Sequence, residues 1–137
     1  MAKNKRSLRV LVAEDEPLAA MVIEDVLVGE GHAVALAPDG AAALELAARQ
    51  DFDVLLTDLA MPRVDGLALI RQLRLTQPDL PVVVMTGFLS APAAGELRGQ
   101  AQPPVALLQK PFDIDRLLQA LELVKLAPAP CRAEAAP

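Results

Sequence analysis

Asp53-Val54-Leu55-Leu56-Thr57-Asp58 is an apolar run that closes on a carboxylate. An earlier run, Leu8-Arg9-Val10-Leu11-Val12-Ala13, closes on two more, Glu14 and Asp15. Similar short runs recur near 32–37, 81–86 and 105–108, making five with those at 8–13 and 53–57. Ala/Leu-rich segments near 16–29, 39–49, 65–76 and 113–126 separate them. Five strands alternating with helices predict an α/β fold, a parallel sheet covered on both faces. Val82-Val83-Val84 is apolar at successive positions, as a strand buried on both faces requires.

The punctuation agrees with this reading. Gly29 and Gly31 suit the end of the first helix. Asp39 is placed to cap the second helix and Asp113 the last, while Asp65-Gly66 opens the third. Pro78 and Pro81 frame the turn into the fourth strand. A further helix near 91–100 is expected to be short or mobile, because Pro92, Gly95, Gly99, Pro103 and Pro104 crowd it and an interior Gly costs about 1 kcal/mol relative to Ala. In the first helix Ala19, Ile23, Val26 and Leu27 fit the core stripe. Leu18, Met21 and Val22 are left as an apolar flank, which serves either wider burial or the docking of a partner.

At 137 residues the chain is one domain with enough length for a real core. Residues 1–6 form an N-terminal extension, 7–126 the domain, and 127–137 an Ala/Pro tail expected to be disordered. A net charge of -5 argues against binding a phosphate backbone. The three aromatic residues, all Phe, offer no platform for stacking bases. Nucleic acid is therefore not an expected partner. Cys131 is the only cysteine, so there is no intrachain disulfide framework. The basic start, Met1 to Arg6, is followed by too short an apolar stretch for an export signal, and no segment is long enough to span a bilayer. A cytoplasmic protein is the expectation. His32, the only histidine, opens the second strand and reads as a partly exposed strand residue remote from any site.

In an open parallel sheet, sites form beyond the carboxyl ends of the strands. The strand ends here deliver Glu14 and Asp15, then Asp58, then Thr86-Gly87, then Lys110-Pro111. Three clustered acids repel one another, and a hard cation such as Mg²⁺ relieves that repulsion with oxygen ligands. In this reading Asp58 attacks phosphorus and becomes an aspartyl phosphate. Asp15 holds the metal directly, Glu14 directly or through water, and the Ala60 carbonyl adds an oxygen. Lys110 neutralises charge on the phosphoryl oxygens and the Thr86 hydroxyl donates to one of them. Singly, each residue has a structural explanation as a cap, a turn or a helix-dipole complement. In this order, on these strand ends, they point jointly to phosphoryl transfer.

The same residues resemble the receiver domain of bacterial two-component response regulators. Val12-Ala13-Glu14-Asp15-Glu16-Pro17 is similar to the acidic first loop of that family. The segment from Leu56 through Asp58, Met61-Pro62 and Asp65-Gly66 is similar to its phosphoacceptor segment. Val84-Met85-Thr86-Gly87 and Gln109-Lys110-Pro111-Phe112 resemble its switch and lysine segments, and Ala37-Pro38-Asp39-Gly40 its second-helix entry. The resemblance spans about residues 7–126. It implies a doubly wound, flavodoxin-like sheet of order 2-1-3-4-5, phosphorylation of Asp58 by a sensor histidine kinase or histidine phosphotransfer protein, bound Mg²⁺, and a cis peptide before Pro111. One position departs from the pattern. Where the family carries a rotating Tyr or Phe, three residues before the lysine, this chain has Leu107. Phe88, just after Thr86-Gly87, is expected to take over part of that switch.

The expected protein is a single-domain response regulator that signals to a downstream protein or relays its phosphate, as a monomer or weak homodimer. It is expected to catalyse only its own phosphorylation and dephosphorylation. The alternative is a receiver-like interaction module that works without phosphorylation. An aspartyl phosphatase acting on outside substrates is disfavoured, because such enzymes place a second acid two residues after the nucleophile and Ala60 stands there.

Overall fold

Each strand of the sheet is five residues long and built almost wholly from Val, Leu, Ala and Met, which a pleated core layer accepts on either face. The computed structural model describes residues 7–59, 65–87, 105–110 and 112–126, with the backbone alone at 105, 125 and 126. Within them lie β1 (Arg9–Ala13), α1 (Pro17–Gly29), β2 (Ala33–Ala37), α2 (Gly40–Arg49), β3 (Val54–Asp58), α3 (Gly66–Thr76), β4 (Val82–Thr86), β5 (Val105–Gln109) and α4 (Ile114–Leu126). The strands are parallel and lie in the order β2-β1-β3-β4-β5. The expected architecture is therefore the observed one, with element ends shifted by a single residue. The segments read as a weak helix near 91–100 and as a terminal tail fall outside the described residues.

Alternation along the strands builds two cores. Val10, Val12, Val54, Leu56, Val83, Met85 and Leu108 face Ile23 and Leu27 of α1 and Leu117, Leu121 and Val124 of α4. Leu11, Ala13, Leu55, Val82 and Val84 face Ala43 of α2 and Leu69, Ile70 and Leu73 of α3. A two-sided sheet of this kind directs every strand's carboxyl end to the same edge, so the polar residues that follow the strands are collected there.

The helix starts follow local chemistry. Asp39 accepts the amide of Ala42 at 2.8 Å, Asp65 that of Ala68 at 2.9 Å, and Asp113 that of Arg116 at 2.9 Å. α1 has no side-chain cap and begins on Pro17, whose missing N–H leaves one fewer donor to satisfy. At its far end Gly31 turns with φ 93°, a conformation that suits glycine.

Two packing expectations need correction. The inner stripe of α1 is Ala20, Ile23 and Leu27, while Ala19 and Val26 are only half buried. Ile23 and Leu27 are core as expected and Val26 packs at its margin, while Ala20 takes the inner place expected of Ala19. His32 is buried, not partly exposed. Its ring covers the start of β1, where Nδ1 accepts the Leu8 amide at 3.1 Å. In α4 Leu117, Leu121 and Val124 are core and Leu123 is exposed.

Candidate functional site

Asp58 is the last residue of β3, and by alternation it follows Val54 and Leu56 toward the α1–α4 side of the sheet. Glu14 and Asp15 follow β1, the neighbouring strand, whose register with β3 ends at Ala13 and Thr57. This places the three acids side by side. One carboxylate oxygen from each of Glu14, Asp15 and Asp58 lies within 4.8 Å of the others. Glu14 and Asp58 are buried, while Asp15 is exposed at the rim.

Lys110, which follows β5, reaches across β4 to this cluster. Its Nζ donates to Asp58 Oδ2 at 2.8 Å and to Glu14 Oε1 at 3.1 Å. The backbone holds the lysine in place, because its amide donates to the Thr86 carbonyl at 2.8 Å. The second oxygen of Glu14, Oε2, accepts the Glu16 amide at 3.0 Å, so both oxygens of this buried acid are engaged. Burial is the main influence on Glu14 and raises its pKa, with the charge of Asp58 adding to the rise; the Glu16 amide and Lys110 oppose it. Burial acts to lower the Lys110 pKa, but its bonds to Asp58 and Glu14 outweigh that and hold the ammonium above the ordinary lysine value.

Thr86 is buried at the end of β4, one strand from Asp58. By alternation it falls with Val82 and Val84, toward the α2–α3 side. Leu107 is half exposed on β5. Ala60, Phe88 and Pro111 lie outside the described residues. Leu18, Met21 and Val22 form an exposed apolar face on α1, at 70%, 56% and 58% accessibility. Beside that face a groove of about 580 Å³ is lined by Glu14, Glu16, Ala19, Val22, Lys110 and Phe112. Phe112, quoted with the lysine segment but given no role, and the Glu16 amide were not among the expected site groups. The Lys110-Pro111-Phe112 run is a signal for the first; a backbone amide leaves none for the second.

The arrangement is a cluster of oxygen ligands with one fixed ammonium, built on three strand ends. The sequence model of the response regulator receiver domain matches residues 10–122. The chain belongs to the response regulator receiver family. Among curated relatives, the DNA-binding transcriptional regulator NtrC of Escherichia coli is 38% identical over 113 residues, which is 82% of this chain and 24% of NtrC. Response regulator MprA of Mycobacterium ulcerans is 40% identical over 114 residues, 82% of this chain and 47% of MprA. The chain thus spans between a quarter and a half of these relatives. Among solved structures, the chemotaxis protein CheY4 of Vibrio cholerae superposes with a TM-score of 0.80 at 26% identity, covering 87% of this chain and 99% of that one. A receiver domain of a Francisella response regulator gives 0.74 at 30% identity, with 87% and 98% covered.

Receiver domains belong to two-component systems and interact with sensor histidine kinases; phosphorylation and Mg²⁺ binding at an acidic pocket are general features of the family. Among the described residues no helix is long and apolar enough to cross a membrane.

Proposed function

We propose that this receiver domain accepts a phosphoryl group on Asp58 from a sensor histidine kinase or a histidine phosphotransfer protein. The observation that carries the reading is the double contact of Lys110 Nζ with Asp58 and Glu14, beside a third carboxylate, Asp15. A carboxylate oxygen of Asp58 attacks phosphorus in line. The bond from phosphorus to the donor's imidazole nitrogen breaks, its electron pair stays on that nitrogen, and an acyl phosphate forms on Asp58. Lys110 stabilises the negative charge on the equatorial oxygens, and Thr86 contributes its hydroxyl once the group is in place.

The donor set fits Mg²⁺: three carboxylates from one rim, one exposed and two buried, match a hard, partly hydrated cation. Asp15, Asp58 and Glu14 would hold it, with the Ala60 carbonyl as a further ligand. Bound there, the ion neutralises charge on the phosphoryl oxygens and on the acids themselves.

The apolar face of Leu18, Met21 and Val22 lies on the helix that lines the groove beside Lys110. It suits a helical partner that brings its phosphohistidine to the rim. Output passes through protein contacts that differ between the free and phosphorylated conformers. Half-exposed Leu107, at a position where the family carries an aromatic switch, favours one second reading: an interaction module that works without phosphate.

Intact-mass spectrometry after treatment with acetyl phosphate and Mg²⁺ separates the two. The expected result is one added phosphate on the wild type and none on Asp58→Ala. A wild type that never gains the adduct, with any donor, leaves only the second reading.

A further inference from the structure

Two residues outside the acidic cluster bear on the backbone of Asp58. The β1–β3 register stops at Ala13 and Thr57, one step short of Asp58, so the ladder from β1 does not extend to the Asp58 position. On the other side Asp58 pairs with Met85 of β4, and the Leu59 amide donates to Met85 O at 3.3 Å. Thr57 adds a contact to the same peptide: it is fully buried, and its hydroxyl donates to the Asp58 carbonyl oxygen at 2.8 Å.

Gly66 closes on the same peptide. Its amide donates to Leu59 O at 2.9 Å, folding the start of α3 back onto the strand end. A β-carbon at Gly66 would overlap the Asp58 carbonyl oxygen and lie 2.8 Å from Leu59 Cα and 3.1 Å from the Asp58 carbonyl carbon. These are backbone atoms and cannot swing aside as a flexible side chain can. Gly66 is not at positive φ, so the position needs space and not an unusual backbone. α3 itself is fixed by the Asp65 cap and by burial of Leu69, Ile70 and Leu73.

We propose that Thr57 and Gly66 are positioning residues. Together they clamp the Asp58–Leu59 peptide and set how far the Asp58 carboxylate projects toward Lys110, Glu14 and Asp15. The clamp serves the phosphoacceptor role assigned above and rests on that reading. The Thr57 hydroxyl is fully buried and engaged with the Asp58 carbonyl oxygen, so it acts on the site through the backbone.

The test compares Thr57→Val, Thr57→Ser and Gly66→Ala with the wild type and with Asp58→Asn. Two quantities are read on the folded fraction: the rate of phosphorylation by acetyl phosphate, and Mg²⁺ affinity from amide chemical shifts without any phosphodonor. Thr57→Val keeps the side-chain volume and removes the donor. It should slow phosphorylation about tenfold and weaken Mg²⁺ binding, since sub-ångström misplacement of a reacting group is enough to do so. Thr57→Ser should restore both, and Gly66→Ala should lose more than Thr57→Val. A purely structural role would lower the urea midpoint and leave both quantities unchanged, and that result overturns the clamp. If Gly66→Ala does not fold, the Thr57 pair decides. A wild type that takes up no phosphate sinks the Asp58 reading; the Mg²⁺ titration still decides the clamp.

Discussion

Lys110 is the one cation among the described residues that bridges two acids of the cluster, and its removal leaves Glu14 and Asp58 without it. In metal-free buffer Lys110→Ala should lower stability by roughly 1–3 kcal/mol, less than for a fully enclosed pair because the lysine side chain is 30% exposed. Urea unfolding in EDTA measures this. Glu14 has the opposite effect. Its folded pKa lies above the reference value of 4.5, so between those two values the native state binds more protons than the unfolded chain. Stability then falls as pH rises through that window. Glu14→Gln should therefore be more stable than the wild type at neutral pH, and the advantage should vanish as pH falls toward 4.5. A difference independent of pH would contradict the assignment. Glu14 and Lys110 were legible as chemistry from their places after two apolar runs. The buried ring of His32 was not, because its partner, the Leu8 amide, lies 24 residues away.

At the scale of the element, α3 carries a contact that no motif announced. Arg74, near the end of the helix, donates from Nη2 to Leu80 O at 2.8 Å and from Nε at 3.3 Å, tying the helix to the turn that enters β4. Burial lowers the pKa of this guanidinium, and Asp79 opposes the shift. Arg74→Met keeps the stem and removes the donors, and should cost about 1.5–3 kcal/mol of stability, as expected for a charged hydrogen bond. The caps predict smaller, additive losses: Asp39→Ala and Asp65→Ala should each cost about 1 kcal/mol, read as shifts in urea midpoint with unchanged slope. Caps are legible because the acid and the amide that donates to it are three residues apart. Arg74 was invisible because an arginine on an amphipathic helix ordinarily faces water; only the path of the following turn brings a carbonyl to it.

For the whole molecule, metal and partner are separate levers. Mg²⁺ bound only to the folded state should raise the unfolding temperature progressively with concentration, and Asp15→Ala should abolish the rise while leaving the metal-free protein folded. Thermal melts across an Mg²⁺ series check this. The α1 face should matter to the protein donor alone. Met21→Glu, a charge on an exposed apolar face, should slow transfer from a phosphorylated histidine protein about tenfold or more, while acetyl phosphate reacts at the wild-type rate. Equal slowing with both donors would show that the face acts on the site and not on docking.

Periodicity, caps and the polar residues closing each apolar run determined the element order, the parallel sheet and the gathering of Glu14, Asp15, Asp58, Thr86 and Lys110 along one edge of the sheet, because these depend on local backbone preference and on the rule that strand ends share an edge. The tertiary structure alone decided that Ala20 and not Ala19 lies on the inner face of α1, that His32 is enclosed, that Lys110 bridges two acids, and that Thr57 and Gly66 close on the Asp58 peptide. Those facts depend on distances between segments remote in sequence, fixed by how two layers of side chains pack against the sheet, and spacing along the chain does not encode them.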